Sequence, residues 1–407
     1  MNRRKFLENL GLAGAGATGA AVLGQINRSE ANGVDATSEV YLPLVTNGAG
    51  DHFSGLNVAA SDASSAEKDG AHFVCSGTDD QAVINSAIDS LGEVGGLVRL
   101  TAGTYNCSDA VKLKARISLL GVGRATKLKA IGTWAAYDGA AQGAVIEPAN
   151  SGIDKTLVGF LSIDGNRWDG GDTQGIYYNI DSKATFDEGP DAGHYFTDIY
   201  IYRTKRHGFH IEGSFMRATK VTRMRVYNVG DEGNTEAHGF FIGSPDGMYT
   251  QCETGSSSGY GFLVDGANNH FTNCKAWFSD LDGWRVQAVR GMYSVCEAQD
   301  NAEHGFHITS GPNSFTSCHA DSNSWEPDNP AATHDGFYIP WGSRIQLVGC
   351  SAYDKDEGGR GNWQRYGFYV GSGAEHIQII GTVKDNATAG IGGEGIAKVE
   401  NNIIVAG

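Results

Sequence analysis

The chain has 407 residues, 31 basic and 47 acidic, for a formal net charge of -16. That balance excludes nucleic acid as a general partner, because phosphate binding needs a basic face, and it leaves attraction for any acidic polymer to a local basic patch. Gly is abundant at 58 residues and Pro scarce at 8, the pattern of many tight turns between ordered strands rather than of a disordered chain.

At the N-terminus, Arg3-Arg4-Lys5-Phe6-Leu7 precedes a mildly apolar Gly/Ala-rich run from Leu10 to Gly24. This segment resembles a twin-arginine export signal, with Glu8 where a Lys is usual, and the run is too short and weak for a membrane span. The expected division is a signal over residues 1–31, a linker or arm over 32–55, one domain over 56–400 and a tail over 401–407. An exported protein is expected, in the periplasm, at the cell surface or in the medium.

The domain opens with a helix expected over Gln81–Leu91. Val83, Ile84, Ala87 and Ile88 make its apolar stripe, and Thr78 or Asp79 is placed to cap it. Gly95-Gly96-Leu97-Val98-Arg99-Leu100, Gly103-Thr104-Tyr105 and Leu120-Gly121-Val122-Gly123 follow, then Ile163-Asp164-Gly165-Asn166. These runs, with Ala59–Asp62 and Phe73–Asp80 before them, resemble the start of pectate-lyase-like proteins of the pectin-lyase-like β-helix superfamily. The resemblance implies a helix that covers the open first coil, which blocks edge-to-edge growth.

From residue 208 a repeat dominates. Gly-aromatic-x-aliphatic recurs as Gly208-Phe209-His210-Ile211, Gly239-Phe240-Phe241-Ile242, Gly261-Phe262-Leu263-Val264, Gly283-Trp284-Arg285-Val286, Gly305-Phe306-His307-Ile308, Gly336-Phe337-Tyr338-Ile339 and Gly367-Phe368-Tyr369-Val370. The basic step is 22 residues, and steps of 31 carry nine more. Cys252, Cys274, Cys296 and Cys318 keep the same 22-residue step, with Val221 and Ile380 expected in that column in the outer coils and an aromatic three residues before each of the four cysteines. Alternation over four or five residues is strand periodicity, and coils of 22 residues bury a face only by stacking. The fold class is all-β: one right-handed parallel β-helix with a short N-terminal capping helix. Stacked cysteines one coil apart are too far apart for the Cβ spacing of a disulfide, so the column is read as buried thiols acting as small apolar fillers; Cys75 and Cys107 lie outside it and are left open.

In each tetrad the aromatic and aliphatic residues point inward and the residue between them outward. The outward column reads His210, Phe241, Leu263, Arg285, His307, Tyr338 and Tyr369, with Glu212 and Asp265 two positions on from His210 and Leu263. Rings that stack on sugars and groups that move protons are what a polysaccharide groove needs. Insertions before three of the Gly strands carry Trp325, Asp335, Trp363 and Arg365 and are expected to build a groove wall. Phe241, Tyr338, Tyr369, His210, Trp325, Trp363 and Asp335 are the candidate substrate contacts.

Two catalytic schemes fit. Glu212 and Asp265, two coils apart, suit an inverting hydrolase. Arg285 and His307, one coil apart, suit a lyase that neutralises a uronate carboxylate and removes the neighbouring proton. A non-catalytic glycan-binding surface protein is the alternative from another class. Pectate-lyase and polygalacturonase motifs are absent, so neither activity is carried over. No metal ligand set is assigned; Ca²⁺ is the one cofactor the residues allow, through Asp164, Asp169 and Asp172, with a metal-free Asp-Gly-Asn turn as the alternative. His207, His238 and His304, each before a Gly, are expected to be structural turn residues.

Overall fold

The structure, a computed structural model, describes residues 55–134, 143–169, 171–181, 193–325, 332–355 and 363–406. The expected signal and arm lie outside them up to residue 54. Two short helices open the fold: α1 (Ser65–Asp69) and α2 (Asp80–Ser90). Ile84, Ala87 and Ile88 of α2 are fully buried against the first coils, as the apolar stripe requires. The cap differs from expectation. Asp79 holds the N-cap position with a left-handed backbone and makes no side-chain cap bond. Its carboxylate bonds Ser108 instead, and Asp80 accepts the Gly77 amide at 2.8 Å and the Asn106 amide at 2.8 Å.

The strands that follow pair in parallel, each with its counterpart one coil on. Three sheets result. The first contains Phe209–Glu212, Phe240–Ile242, Phe262–Val264, Trp284–Val286 and Phe306–Ile308. The second contains Lys220–Thr222, Met248–Thr250, His270–Thr272, Met292–Ser294 and Asn313–Thr316. The third contains Arg225–Val229, Glu253–Ser257, Lys275–Trp277, Glu297–Gln299 and His319–Asp321. The long strands Phe337–Tyr353 and Tyr366–Lys384 run through all three. This is a parallel β-helix, and the register repeats the 22-residue step residue for residue.

The core is a set of ladders of like residues. Phe240, Phe262, Trp284 and Phe306 stack ring on ring, with centroids 4.5, 3.9 and 5.8 Å apart. Tyr249, Phe271, Tyr293 and Phe315 form a second stack at 4.7, 5.1 and 4.4 Å. A single residue with positive φ turns the chain from the second sheet to the third: Arg223, Gln251, Asn273, Val295 and Ser317. The cysteines follow that turn. All seven are buried and unpaired, Cys75 and Cys107 included. In the column, Cys274 and Cys318 reach carbonyls of the preceding coil, at 3.5 and 3.3 Å, and burial pushes their thiols well above the usual range.

Two expectations about the outer coils change. Val221 pairs with Tyr249, which puts it in the aromatic column, and Met224 precedes Cys252 in the cysteine column because Arg225 pairs with Glu253. The cause is the extra length between Glu212 and Lys220, which shifts the Gly-to-column offset in that coil. At the other end Ile380 pairs with Val348, and Gly381 takes the place opposite Cys350 across a bulge. Residues 401–407 were expected to form a tail; Val399–Ala406 is instead a strand paired in parallel with Tyr366–Lys384. By pairing there it closes an edge the last full coil would otherwise expose.

Candidate functional site

The outward column of the first sheet stands as the repeat predicts. Tyr177 pairs with His210, then come Phe241, Leu263, Arg285, His307, Tyr338 and Tyr369, each one coil from the last. Upstream, Lys112 pairs with Glu147, and Ile146 pairs with Ile176, so Glu147 lies opposite Tyr177 at the head of the same column.

Beside it runs a second column made by the residue before each Gly: His207, His238, Tyr260, Asp282, His304, Asp335 and Tyr366. A side chain here accepts the backbone amide of the same position one coil on. His207 Nδ1 accepts from His238 (3.1 Å), His238 Nδ1 from Tyr260 (3.1 Å), Asp282 Oδ1 from His304 (3.0 Å), His304 Nδ1 from Asp335 (2.9 Å) and Asp335 Oδ1 from Tyr366 (3.1 Å). The histidines therefore do hold turns, as expected, and they also line the site. Burial pushes His207 and His304 well below the usual range and His238 down to about 3, so the rings are neutral. With Nδ1 accepting, each neutral ring carries its proton on Nε2.

The two columns meet in a compact cluster over three coils. His307 Nδ1 lies 2.9 Å from Asp282 Oδ2 and donates to it. The Arg285 guanidinium lies against the same ring, with Nη1 close to Nδ1 and 2.8 Å from Nε2, and 3.7 Å from Asp282 Oδ2. Asp282 is 1% exposed at its side chain, Arg285 18% and His307 13%, so the cation and the imidazole reach the outer surface of the first sheet while the carboxylate behind them is dry. Tyr338 stacks flat on His304 at 4.0 Å and edge-on to His307 at 4.8 Å. Tyr369 continues the rings at 5.1 Å, and its hydroxyl donates to Glu394 at 2.7 Å. Asp335, expected to contact substrate, is fully buried and holds Arg365 through a two-pronged pair at 2.9 and 2.7 Å; it positions Arg365, whose guanidinium lies over the Tyr366 and Tyr369 rings.

A second cluster sits upstream. The Tyr177 hydroxyl donates to Glu212 at 2.5 Å, and His210 lies 3.6 Å from Glu212 and 2.8 Å from Gln174. His210 and the Tyr177 hydroxyl hold the Glu212 carboxyl below its ordinary value. Glu147 is shifted the opposite way: burial pushes it up to about 7, against the pull of the Ala144 amide and Lys112. Asp265 shares the Glu212 register two coils on but is exposed, and among the described residues no ion pair or side-chain hydrogen bond joins the two.

The raised Glu147 carboxyl makes the fold pH-sensitive. Below its unfolded value of about 4.5 the group is protonated in both states and costs nothing. As pH rises toward 7 the unfolded chain ionises first, and stability falls by about 3 kcal/mol before levelling off above the folded value. Glu147→Gln is expected to match the natural chain in melting temperature at pH 4 and to exceed it at pH 8; an equal difference at both pH values would contradict the assignment.

Trp325 and Trp363 are not brought to this column. The Trp325 ring lies 5.4 Å from Phe278 and 6.2 Å from the Trp363 ring, because both insertions leave from the third-sheet side, where Phe278 follows the strand Lys275–Trp277. Glu326, in the insertion that carries Trp325, and most of the stretch between Asp181 and His194 lie outside the described residues. The Ca²⁺ ligands do not fit either: Asp164 is held two-pronged by Arg203, and Asp172 pairs with Arg206 at 3.2 Å. Asp282, His304 and His307 have donor atoms within 4.8 Å of one another, but Arg285 already places its positive charge among them, which disfavours a cation there.

Sequence reading found the first column through the tetrads. It missed Glu147, whose coil lacks both the glycine and the aromatic of the tetrad: Val145 stands opposite Gly175 and Ile146 opposite Ile176. It also missed Asp282 as the partner of His307, since the pairing crosses coils.

Comparison with solved structures supports the right-handed parallel β-helix fold. The mannuronan C-5 epimerase AlgE4 A-module of Azotobacter vinelandii has a TM-score of 0.64 at 17% identity, over 81% of this chain and 92% of that one. The AlgE6 A-module of the same bacterium scores 0.61 at 14% identity, over 81% and 96%. Polygalacturonase from Erwinia carotovora ssp. carotovora scores 0.52 at 11% identity, over 89% and 99%. No protein-family model and no curated protein sequence matches the chain. Among the described residues no helix is long and apolar enough to cross a membrane.

Proposed function

We propose that this chain is an exported enzyme that cleaves a uronate-containing polysaccharide by β-elimination in the first-sheet groove. The observation that carries the reading is the Asp282–His307–Arg285 cluster at the middle of the outward column. Arg285 is the group that binds the uronate carboxylate; its planar fork suits that geometry. When the carboxylate takes the guanidinium, His307 Nε2 is released to accept the C5 proton, with Asp282 fixing the tautomer and stabilising the imidazolium. The C5–H electron pair forms the C4–C5 double bond, and the C4–O4 bond breaks. The O4 oxygen takes a proton from Tyr338, whose hydroxyl burial holds above its ordinary value and so protonated. Tyr369 and Phe241 are stacking platforms along the chain. Fold neighbours named as a mannuronan epimerase and a polygalacturonase support an acidic polymer as the class of substrate.

One observation favours a second reading. Glu147 and Glu212 are shifted in opposite directions, the arrangement of a general acid and its partner carboxylate, and they stand two coils apart on the same face, with Glu212 two positions further along its strand. That pair would make the groove a hydrolase. Incubation with polygalacturonate and with mannuronan separates the readings. Ultraviolet absorbance from unsaturated ends is expected; new reducing ends without that absorbance would favour Glu147 and Glu212. Binding without product would favour a non-catalytic glycan-binding protein. Export is supported by the Arg3-Arg4 segment and is checked by sequencing the N-terminus of secreted protein.

A further inference from the structure

A concave pocket of about 700 Å³ lies at the corner between the second and third sheets, across the core from the first-sheet groove. Its floor is built by the turn residues Asp198, Arg223, Gln251 and Asn273, and its wall by successive outward positions of the third sheet, Tyr200, Arg225, Glu253 and Lys275. Four cations, Arg124 among them, face two carboxylates, an excess of two positive charges on a chain whose net charge is -16.

Most of these charges are engaged. Arg223 holds Asp198 with two prongs at 2.8 and 2.6 Å, Arg225 reaches Glu253 at 3.5 Å, and Lys275 reaches Glu297 at 3.1 Å. Arg124 is different. Its guanidinium lies 3.8 Å over the Tyr200 ring, and among the described residues it forms no ion pair. Stacking on the ring orders the fork without consuming its donors, which is how an arginine is prepared for a planar anion. Next to it a run of partly exposed rings continues along the third sheet: Tyr202 stacks on Tyr200 at 5.0 Å, Tyr227 lies 5.7 Å from Tyr200, and Trp277 lies 5.9 Å from Tyr227. Gly255 sits between those last two rings, where a Cβ would meet Trp277 at 2.8 Å and Tyr227 at 2.9 Å, so the glycine lets the rings lie over the backbone.

We propose that this corner is a second, non-catalytic binding site for an acidic polysaccharide, with Arg124 taking a carboxylate or sulfate group and the ring run stacking on the sugars beyond it. The site stands apart from the first-sheet groove and does not depend on the chemistry there. An isolated anion would be served by the arginine alone; the adjoining rings favour a sugar chain that carries the anion.

The test is electrophoresis of the full chain in gels containing polygalacturonate or, as a neutral control, dextran. It is run in the Arg285→Ala background, which removes the carboxylate contact of the first-sheet groove. The background protein is expected to be retarded by polygalacturonate and not by dextran. Adding Arg124→Gln is expected to weaken the interaction about tenfold, the loss of one charge-assisted contact. Arg124 is exposed, so this change leaves the fold intact. No retardation in the Arg285→Ala background, equal retardation by dextran, or no effect of Arg124→Gln would each overturn the proposal. Loss of turnover in Arg285→Ala with retardation kept would support both sites, and turnover kept there would sink the catalytic reading alone.

Discussion

His307→Ala and Arg285→Ala are each expected to lower kcat/KM on a polyuronate by about 10²–10⁴-fold while leaving the melting temperature nearly unchanged. The side chains stand on a sheet whose stability comes from the ladders beneath them, and both are partly open to the groove. The two variants should fail differently. Removing His307 takes away a group needed only as the proton moves, so the loss falls on kcat. Removing Arg285 takes away a contact made already in the bound state, so KM rises as well. Asp282→Asn tests the connection between them. It keeps the shape but removes the charge behind His307, and its loss should shift the pH dependence of kcat. If Asp282→Asn alters stability but leaves the pH profile in place, its role is structural.

Trp284→Ala is the substitution expected to damage the fold most, by about 3–5 kcal/mol. Trp284 is fully buried, lies between Phe262 and Phe306 in the ring ladder, and donates from Nε1 to the Glu297 carbonyl at 3.0 Å. Its removal opens a void under Arg285 and strips a hydrogen bond from the third sheet. In a solenoid each coil contacts only its neighbours, so the damage should begin locally. Hydrogen exchange is expected to rise first in residues 261–308 and last near α2. Uniform exchange along the chain would show instead that the helix unfolds as one unit.

The sequence made the first column readable because the 22-residue step forces like residues over like. His210, Arg285, His307, Tyr338 and Tyr369 could be aligned from spacing alone, and the register bears that alignment out. The second column was harder. Asp282, His304 and Asp335 look like ordinary residues before a glycine, and their ladder of side chain to next-coil amide is non-local. Insertions defeated the reading for a different reason: Trp325 and Trp363 lie in two insertions whose direction the repeat does not encode, and Trp325 packs on Phe278 while Trp363 packs on Trp325. The same loss of register explains Val221 and Ile380, where extra residues or a bulge shift the column that spacing predicts.

In the proposed mechanism Arg285 receives the substrate carboxylate and frees His307 as the base. The most direct measurement is a crystal structure of His307→Ala with a bound oligouronate. A carboxylate forked on Arg285, with C5 of the same sugar facing the space left by His307 and its O4 toward Tyr338, is the predicted result. A sugar seated instead with its glycosidic oxygen between Glu147 and Glu212, and Arg285 untouched, would contradict it.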